Sequence, residues 1–263
     1  MPSFASKDAV VVVTGAGSGI GAALARRFAA DGARHVVVVD RDLAAAGAVA
    51  DEVGGVAEQV DVADAAAVEG LVERTLAREG AIDLFCSNAG IATGAGVDGP
   101  DGLWQRAFEV NVMAHVYAAR SVLPGMLERG RGYLLQTASA AGLLTSPGDA
   151  PYTVTKHGAV GFAEWLALTY GSRGIGVSVL CPMGVATPLL MDPLAAGDPA
   201  ARAVAASGDI VSPEHVAQIV TEGLAQGRFL LLPHPEVGTF WAQKASDPDR
   251  WLAGMRRLLD AGD

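Results

Sequence analysis

The chain reads as an α/β protein, a doubly wound parallel sheet of seven strands with helices on both faces. Three observations predict this. Short apolar runs rich in valine alternate with longer alanine-rich stretches of helical character, giving a β-α-β rhythm. Runs such as Val10–Val13 and Val36–Val39 are apolar at every position, as in strands covered on both sides. A glycine-rich turn joins the first apolar run to the first helical stretch.

In chain order, the predicted strands are Ala9–Val13, His35–Val39, Val56–Val60, Ile82–Ser87, Tyr133–Thr137, Gly176–Leu180 and Phe229–Leu232. Between them the predicted helices are Gly19–Asp31, Leu43–Val53, Ala65–Arg78, Leu103–Glu128, Tyr152–Ser172 and Pro213–Gln226. Asp42 and Asp64 stand where an N-cap carboxylate satisfies first-turn N–H groups, and Ser212-Pro213 combines a cap with a first-turn proline. Pro124 is expected to kink or end the long helix around it, because it lacks an N–H and crowds the preceding turn. Residues 188–212 read as an irregular loop region on the substrate side, and residues 234–263 as a helical C-terminal appendage. No repeat or long linker divides the 263 residues, so a single domain, 1–263, is expected.

Hydrophobic residues make up 51% of the chain against 18% charged, which excludes disorder. A net charge of −10 argues against a nucleic-acid partner, which would require a basic stripe. No apolar stretch approaches the ~20 residues of a membrane span and no leader signature opens the chain, so a cytoplasmic protein without membrane partners is expected. Cys86 and Cys181 lie in apolar runs and read as buried thiols. Five histidines without ligand spacing predict no metal site. Lysine is scarce: only Lys7, Lys156 and Lys244 are present.

Two motifs carry chemistry. Thr14-Gly15-Ala16-Gly17-Ser18-Gly19-Ile20-Gly21 follows the first strand and opens the first helix. Glycines there let the backbone turn tightly and approach a pyrophosphate, while the helix N-terminus offers N–H donors and partial positive charge. The spacing is G-x-x-x-G-x-G rather than G-x-G-x-x-G, in the strand–turn–helix setting that gives such a motif meaning. The sheet is therefore expected to be a Rossmann fold, with Gly15, Ser18, Gly19, Ile20 and Gly21 binding a dinucleotide. Asp40 ends the second strand 19 residues after Gly21, near the position where a carboxylate receives the adenosine ribose hydroxyls. A carboxylate there repels a 2′-phosphate and favours NAD over NADP, while Arg41 beside it is a guanidinium able to accommodate that phosphate.

The second motif is Tyr152-Thr153-Val154-Thr155-Lys156. A separation of four places both ends on one helical face, and an ammonium near a phenol favours the phenolate, lowering a pKa that starts near ~10. Tyr152 is thereby a candidate general acid/base. Ser139 lies 13 residues earlier, just after the fifth strand, where its hydroxyl can bond a substrate carbonyl oxygen.

With these residues in this order, together with Asp61-Val62, Ser87-Asn88-Ala89-Gly90, Asn111 and Pro182 through Thr187, the chain resembles the short-chain dehydrogenase/reductase family from Val10 to about Leu232. The resemblance implies that Tyr152 is the acid/base, that Lys156 tunes it and holds the nicotinamide ribose, and that Ser139 orients the substrate oxygen. It implies that Asn111 anchors a water in a proton relay. Asp61 with Val62 would touch the adenine, Asn88, Ala89 and Gly90 would line the adenosine side, and Pro182, Val185 and Thr187 would hold the nicotinamide carboxamide. Two departures from the family pattern are visible: Ser87 replaces an asparagine, and Met183 replaces the glycine after Pro182, with glycine displaced to Gly184. Met183 is therefore expected near the nicotinamide or substrate, with Leu144 and Met191 as further apolar substrate contacts.

The expected activity is hydride transfer between NAD(H) and a hydrophobic secondary alcohol or ketone. Alternatives are an NADP-preferring carbonyl reductase and a non-catalytic dinucleotide-binding regulatory protein; dehydration or epimerisation goes with a longer substrate domain. Apolar positions around much of the Leu103–Glu128 and Tyr152–Ser172 helices, and the pairing of these helices in the family, imply a homo-oligomer, dimer or tetramer.

Overall fold

The structure, a computed structural model, describes residues 2–260. Strands β1 (Val10–Thr14), β2 (His35–Asp40), β3 (Val56–Gln59), β4 (Leu84–Ser87), β5 (Gly132–Thr137), β6 (Ile175–Leu180) and β7 (Leu230–Leu231) form one sheet in the order β3-β2-β1-β4-β5-β6-β7. Every pairing is parallel. Val10–Val13 and Val36–Val39 are buried at every position, as strands covered on both faces must be.

One face is covered by α1 (Gly19–Ala30), α2 (Leu43–Val53) and α9 (Pro213–Ala225), which pack on Val11, Val13, Val36 and Val38. The other is covered by α3 (Ala65–Glu79), α5 (Ala114–Glu128) and α6 (Ala150–Tyr170), packed on Val12, Val37, Leu134 and Val177. Asp42, Asp64 and Ser212 cap α2, α3 and α9 through their side chains, as their positions predict. Strand order reverses between β1 and β4, and the site must lie beyond the carboxyl ends of the strands there.

Three expectations need correction. The 188–212 region is not an irregular loop: it contains α7 (Pro188–Ala195) and α8 (Pro199–Ala206). Each helix is short, so its apolar period covers barely two turns, but Thr187-Pro188 and Asp198-Pro199 are both start signals, and Asp198 caps α8 by accepting from Ala201 N at 2.8 Å. Pro124 does not end its helix, since α5 runs on to Glu128. The irregularity of the long predicted helix lies upstream. α4 (Asp101–Phe108) passes through a π-helical turn, Glu109–Met113, before α5 begins. The appendage is a pair of helices, α10 (Pro235–Ser246) and α11 (Pro248–Asp260), joined by Phe240 and Trp251 at 6.1 Å between ring centroids.

Candidate active site

Backbone proximity builds the first wall. Gly15 and Gly19 both adopt positive φ, 63° and 53°, where a Cβ is strained. A Cβ on Gly15 would come 2.8 Å from Ala89 Cα, and one on Gly21 would come 2.2 Å from Gly15 O and 2.7 Å from Asn88 Nδ2. The turn is closed against the loop after β4 by Thr14, whose hydroxyl accepts from Asn88 N (2.9 Å) and Ala89 N (3.2 Å) and donates to Cys86 O. Asn88 Nδ2 returns a bond to Thr14 O at 3.0 Å. Asn88, Ala89 and Gly90 thus flank the turn.

Ser18 is the N-cap of α1 and Thr187 the N-cap of α7, and neither makes a side-chain cap bond. The Thr187 methyl lies 3.0 Å from the Cβ position of Gly19, so the two helix N-termini converge on one cleft. Open first-turn donors of α1, the Ser18 hydroxyl and a backbone bare of Cβ atoms fit a dinucleotide pyrophosphate, while the Thr187 hydroxyl donates to Val185 O at 3.5 Å. Asp40 accepts from Gly17 N at 3.0 Å and from Asp42 N at 3.1 Å, placing its carboxylate at the rim of the same turn, and Arg41 beside it is exposed. Asp61 is paired with Arg106 on α4 at 2.9 Å, an arrangement the sequence did not disclose. Burial alone would raise its pKa; the Ala63 N–H and Arg106 outweigh that and hold it below the usual carboxylate range. Val62 is buried beside it.

The second wall is the α6 face. Lys156 is 3% exposed, its Nζ 5.5 Å from the centre of the Tyr152 ring and 3.1 Å from Thr137 O. The Cβ position of Gly90 lies 3.1 Å from Lys156 Nζ and 3.3 Å from Asn111 Oδ1, so Lys156, Asn111 and the β4 loop meet at one point. Ser139 is buried; it caps the turn after β5 by accepting from Ala141 N and donates to Pro182 O at 3.4 Å. Tyr152, Lys156, Ser139 and Asn111 are therefore brought together.

The electrostatics correct one expectation. The Tyr152 phenol is raised, not lowered, in this structure. Burial is the largest cause and Asp149 adds to it, while contact with Ser139 pulls the other way. The Lys156 ammonium is itself displaced by burial, down to about 8, so desolvation dominates both partners of the pair. Asn111 is also more structural than expected. Its Oδ1 accepts from Ile91 N (2.9 Å), and its Nδ2 donates to Ile91 O (2.9 Å) and Thr155 Oγ1 (3.0 Å). Its amide thus ties the β4 loop and α6 to the π-helical turn in which it sits.

Sequence reading missed Asp149. It caps α6 through Tyr152 N and accepts from Thr93 Oγ1, Thr93 N and Gly94 N, fixing the start of the helix that carries Tyr152. The signal was present, since Asp149-Ala150-Pro151 is an N-cap followed by a first-turn proline. It also missed His115, fully buried beside Gln136 at 2.6 Å and pushed down to about 3 by burial, with the nearby Lys156 charge adding to the effect.

Of the residues expected to contact substrate, Leu144 is buried and Met191 exposed, and Met183 turns its methyl to within 2.6 Å of the Cβ position of Gly208. Pro182 and Val185 are buried in the loop after β6. His157 faces away and bonds Thr153 O. Among the described residues no cluster of His, Cys, Asp or Glu could hold a metal, and no helix is long and apolar enough to cross a membrane.

Comparison with known proteins bears on the whole chain. It is 39% identical over 241 residues to 1-deoxy-11-beta-hydroxypentalenate dehydrogenase of Streptomyces exfoliatus, covering 86% of this chain and 82% of that one. It is 34% identical over 255 residues to 2-keto-3-deoxy-L-fuconate dehydrogenase of Xanthomonas campestris, covering 95% and 78%. A crystal structure of a short chain dehydrogenase/reductase from Burkholderia phymatum in complex with NAD superposes with a TM-score of 0.86 at 28% identity, covering 94% of this chain and 96% of that one. Residues 9–197 match the short chain dehydrogenase family, and the chain belongs to it as an oxidoreductase with a nicotinamide dinucleotide cofactor.

Proposed function

We propose that the protein oxidises a hydrophobic secondary alcohol, or reduces the matching ketone, using NAD(H), with Tyr152 as the general acid/base. The observation that carries this reading is the convergence of Tyr152, Lys156 and Ser139 beside a glycine cradle open to a pyrophosphate. When bound, the dinucleotide supplies the hydride acceptor or donor. The chain's own residues do the rest. Gly15, Ser18, Gly19, Ile20 and Gly21 hold the phosphates through backbone donors. Asn88, Ala89, Gly90, Asp61 and Val62 line the adenosine side, and Pro182, Val185 and Thr187 the nicotinamide side. Ser139 holds the substrate oxygen, and the Tyr152 phenolate takes the hydroxyl proton in oxidation or returns it in reduction. Lys156 stands over the phenol and stabilises its ionised form, and Asn111 keeps the lysine's surroundings in place. Because burial raises the phenol, oxidation should accelerate toward alkaline pH, where the phenolate is populated.

Asp40 at the rim of the turn supports NAD over NADP, since a 2′-phosphate there would meet a carboxylate held by Gly17 and Asp42. The apolar character of Leu144, Met183 and Met191 supports a hydrophobic substrate, and the 1-deoxy-11-beta-hydroxypentalenate named for the Streptomyces relative supports an alcohol as the group oxidised. Val154, Trp165 and Leu168 on α6 and Phe108 on α4 are exposed apolar side chains, supporting a homo-oligomer built on these helices within one catalytic unit spanning the chain. The test is an absorbance assay at the nicotinamide band across alcohols and ketones of graded size, with NAD and NADP, on wild type and Tyr152→Phe. Turnover of apolar secondary alcohols with NAD, lost in Tyr152→Phe while cofactor still binds, is expected. Full activity of that variant, or preference for NADP, overturns the corresponding part.

A further inference from the structure

His234 is 2% exposed, lies outside the dinucleotide fold's motifs, and bonds three backbone groups from two other segments. Its Nδ1 faces the Met183 N–H at 3.2 Å and must accept. Its Nε2 faces two carbonyls, Gly184 O at 3.0 Å and Asp209 O at 3.1 Å, and must donate. Only the neutral Nε2–H imidazole satisfies all three. One ring thus joins the loop after β6 to the far end of the α7–α8 segment. The join is reinforced at the same place. Val211 N donates to Gly184 O at 3.0 Å, Ala186 N to Val211 O at 2.9 Å, and the Met183 methyl occupies the space that a Cβ on Gly208 would take. From Met183 the chain leads directly to Pro182, whose carbonyl accepts from Ala140 N (2.8 Å) and from Ser139 Oγ.

We propose that His234 is a positioning residue for the reaction. It sets where Pro182–Val185 lies between the Ser139 turn and the α7–α8 segment, and so sets the width of the substrate space between them. A buried ring with one acceptor and one bifurcated donor fixes a loop that carries Met183 where its relatives' pattern has glycine, a residue too large to be left without a defined place. The role rests on the dehydrogenase reading for its kinetic consequence and on the cofactor-free protein for its structural one.

Three variants test it: His234→Leu, which keeps bulk and removes all three bonds; His234→Gln, which keeps one acceptor and one donor; and Gly208→Ala, which leaves the ring intact and crowds the Met183 methyl. Amide exchange is read on cofactor-free protein, and kcat and KM on the active enzyme. In His234→Leu, faster exchange confined to residues 183–186 and 209–211 is expected, with β1 to β5 unchanged. KM for the alcohol should rise about tenfold, the size of losing one or two neutral hydrogen bonds, with a smaller change in kcat. His234→Gln should recover most of both, and Gly208→Ala should raise KM for bulky substrates more than for small ones. Unchanged exchange in His234→Leu, exchange raised evenly across the sheet, or an unchanged KM overturns the proposal. Exchange decides the structural role even if no substrate turns over, whereas a wild type inert toward every substrate counts against the dehydrogenase reading alone.

Discussion

At the β1–α1 turn the chain is held by what its backbone must approach: Gly15 against Ala89, Gly21 against Gly15 itself. Across the switch point, Met183, Gly184 and Leu144 are held by side chains 50 to 100 positions away, His234 and Lys244. Lys244 on α10 donates to Leu143 O at 2.9 Å and to Leu144 O, clamping the loop that follows Ser139. The difference explains what each side can tolerate. A wall made of close backbone contacts admits one residue type and serves a ligand that never varies. A wall made of long-range side-chain tethers can be re-aimed by single substitutions, which suits the part of the site that meets the substrate.

The comparison can be broken in graded steps. Tyr152→Phe should have the largest effect, a loss of roughly 10² to 10⁴ in kcat with cofactor affinity nearly unchanged, because it removes proton transfer and no backbone contact. Equal loss of cofactor binding, measured by NADH fluorescence titration, would show that the two walls are not separable. Gly21→Ala should come next. Its Cβ meets backbone 2.2 Å away, so the turn must shift, lowering stability by about 2–3 kcal/mol and weakening dinucleotide binding of either kind. A melting curve and titration matching wild type would refute the backbone account of that wall.

Lys156 gives a pH test with a definite sign. Burial lowers it from 10.5 to about 8, so the folded cofactor-free protein carries a penalty for the ammonium that is full below pH 8. Between about 8 and 10.5 the unfolded chain binds more protons than the folded one, and the penalty is relieved as pH rises. Lys156→Met should therefore melt above wild type at neutral pH, by an amount reflecting up to roughly 3 kcal/mol, and the gap should narrow through this window. Tyr152, Cys86 and Cys181 are all raised and act in the opposite direction; Cys86 does so equally in both proteins, whereas Cys181 also loses the lowering effect of the Lys156 charge in the variant. A gap that widens with pH would reverse the assignment. Lys244→Met should have the smallest effect. It should lower stability by about 1 kcal/mol and raise substrate KM a few-fold, leaving cofactor binding intact. A change in NADH affinity instead would place Lys244 in the wrong wall.

The parts legible in the sequence are those whose signal is local. The strands at Val10–Thr14 and His35–Asp40 declare themselves by composition, α2 and α3 by their aspartate caps, and the dinucleotide turn by glycine spacing between a strand and a helix. Tyr152 and Lys156 are visible because one helical turn separates them. The ionisation of that pair was not: four residues of spacing predict proximity, but only the packed structure shows how far each group is removed from water, and removal dominates both. Pro124 and the π-helical turn at Glu109–Met113 show the same limit, since the break follows the tertiary bonds of Asn111 to Ile91 and Thr155 rather than the residue known for breaking helices.

By itself, then, the amino-acid order determines the individual strands and helices, the glycine turn and the Tyr152–Lys156 spacing, because each depends on residues within a turn or a strand of one another, while their β-α-β alternation points to the parallel sheet whose pairings, such as Val12 with Phe85, are made only on folding. The substrate side is decided by folding. His234 and Lys244 acquire their roles from carbonyls and amides that are neighbours only once the sheet is closed, and Asp149, legible as the cap of α6, gains its bonds to Thr93 and Gly94 in the same way. A hydrogen bond between backbone and a distant side chain leaves no period, spacing or composition in the chain that makes it.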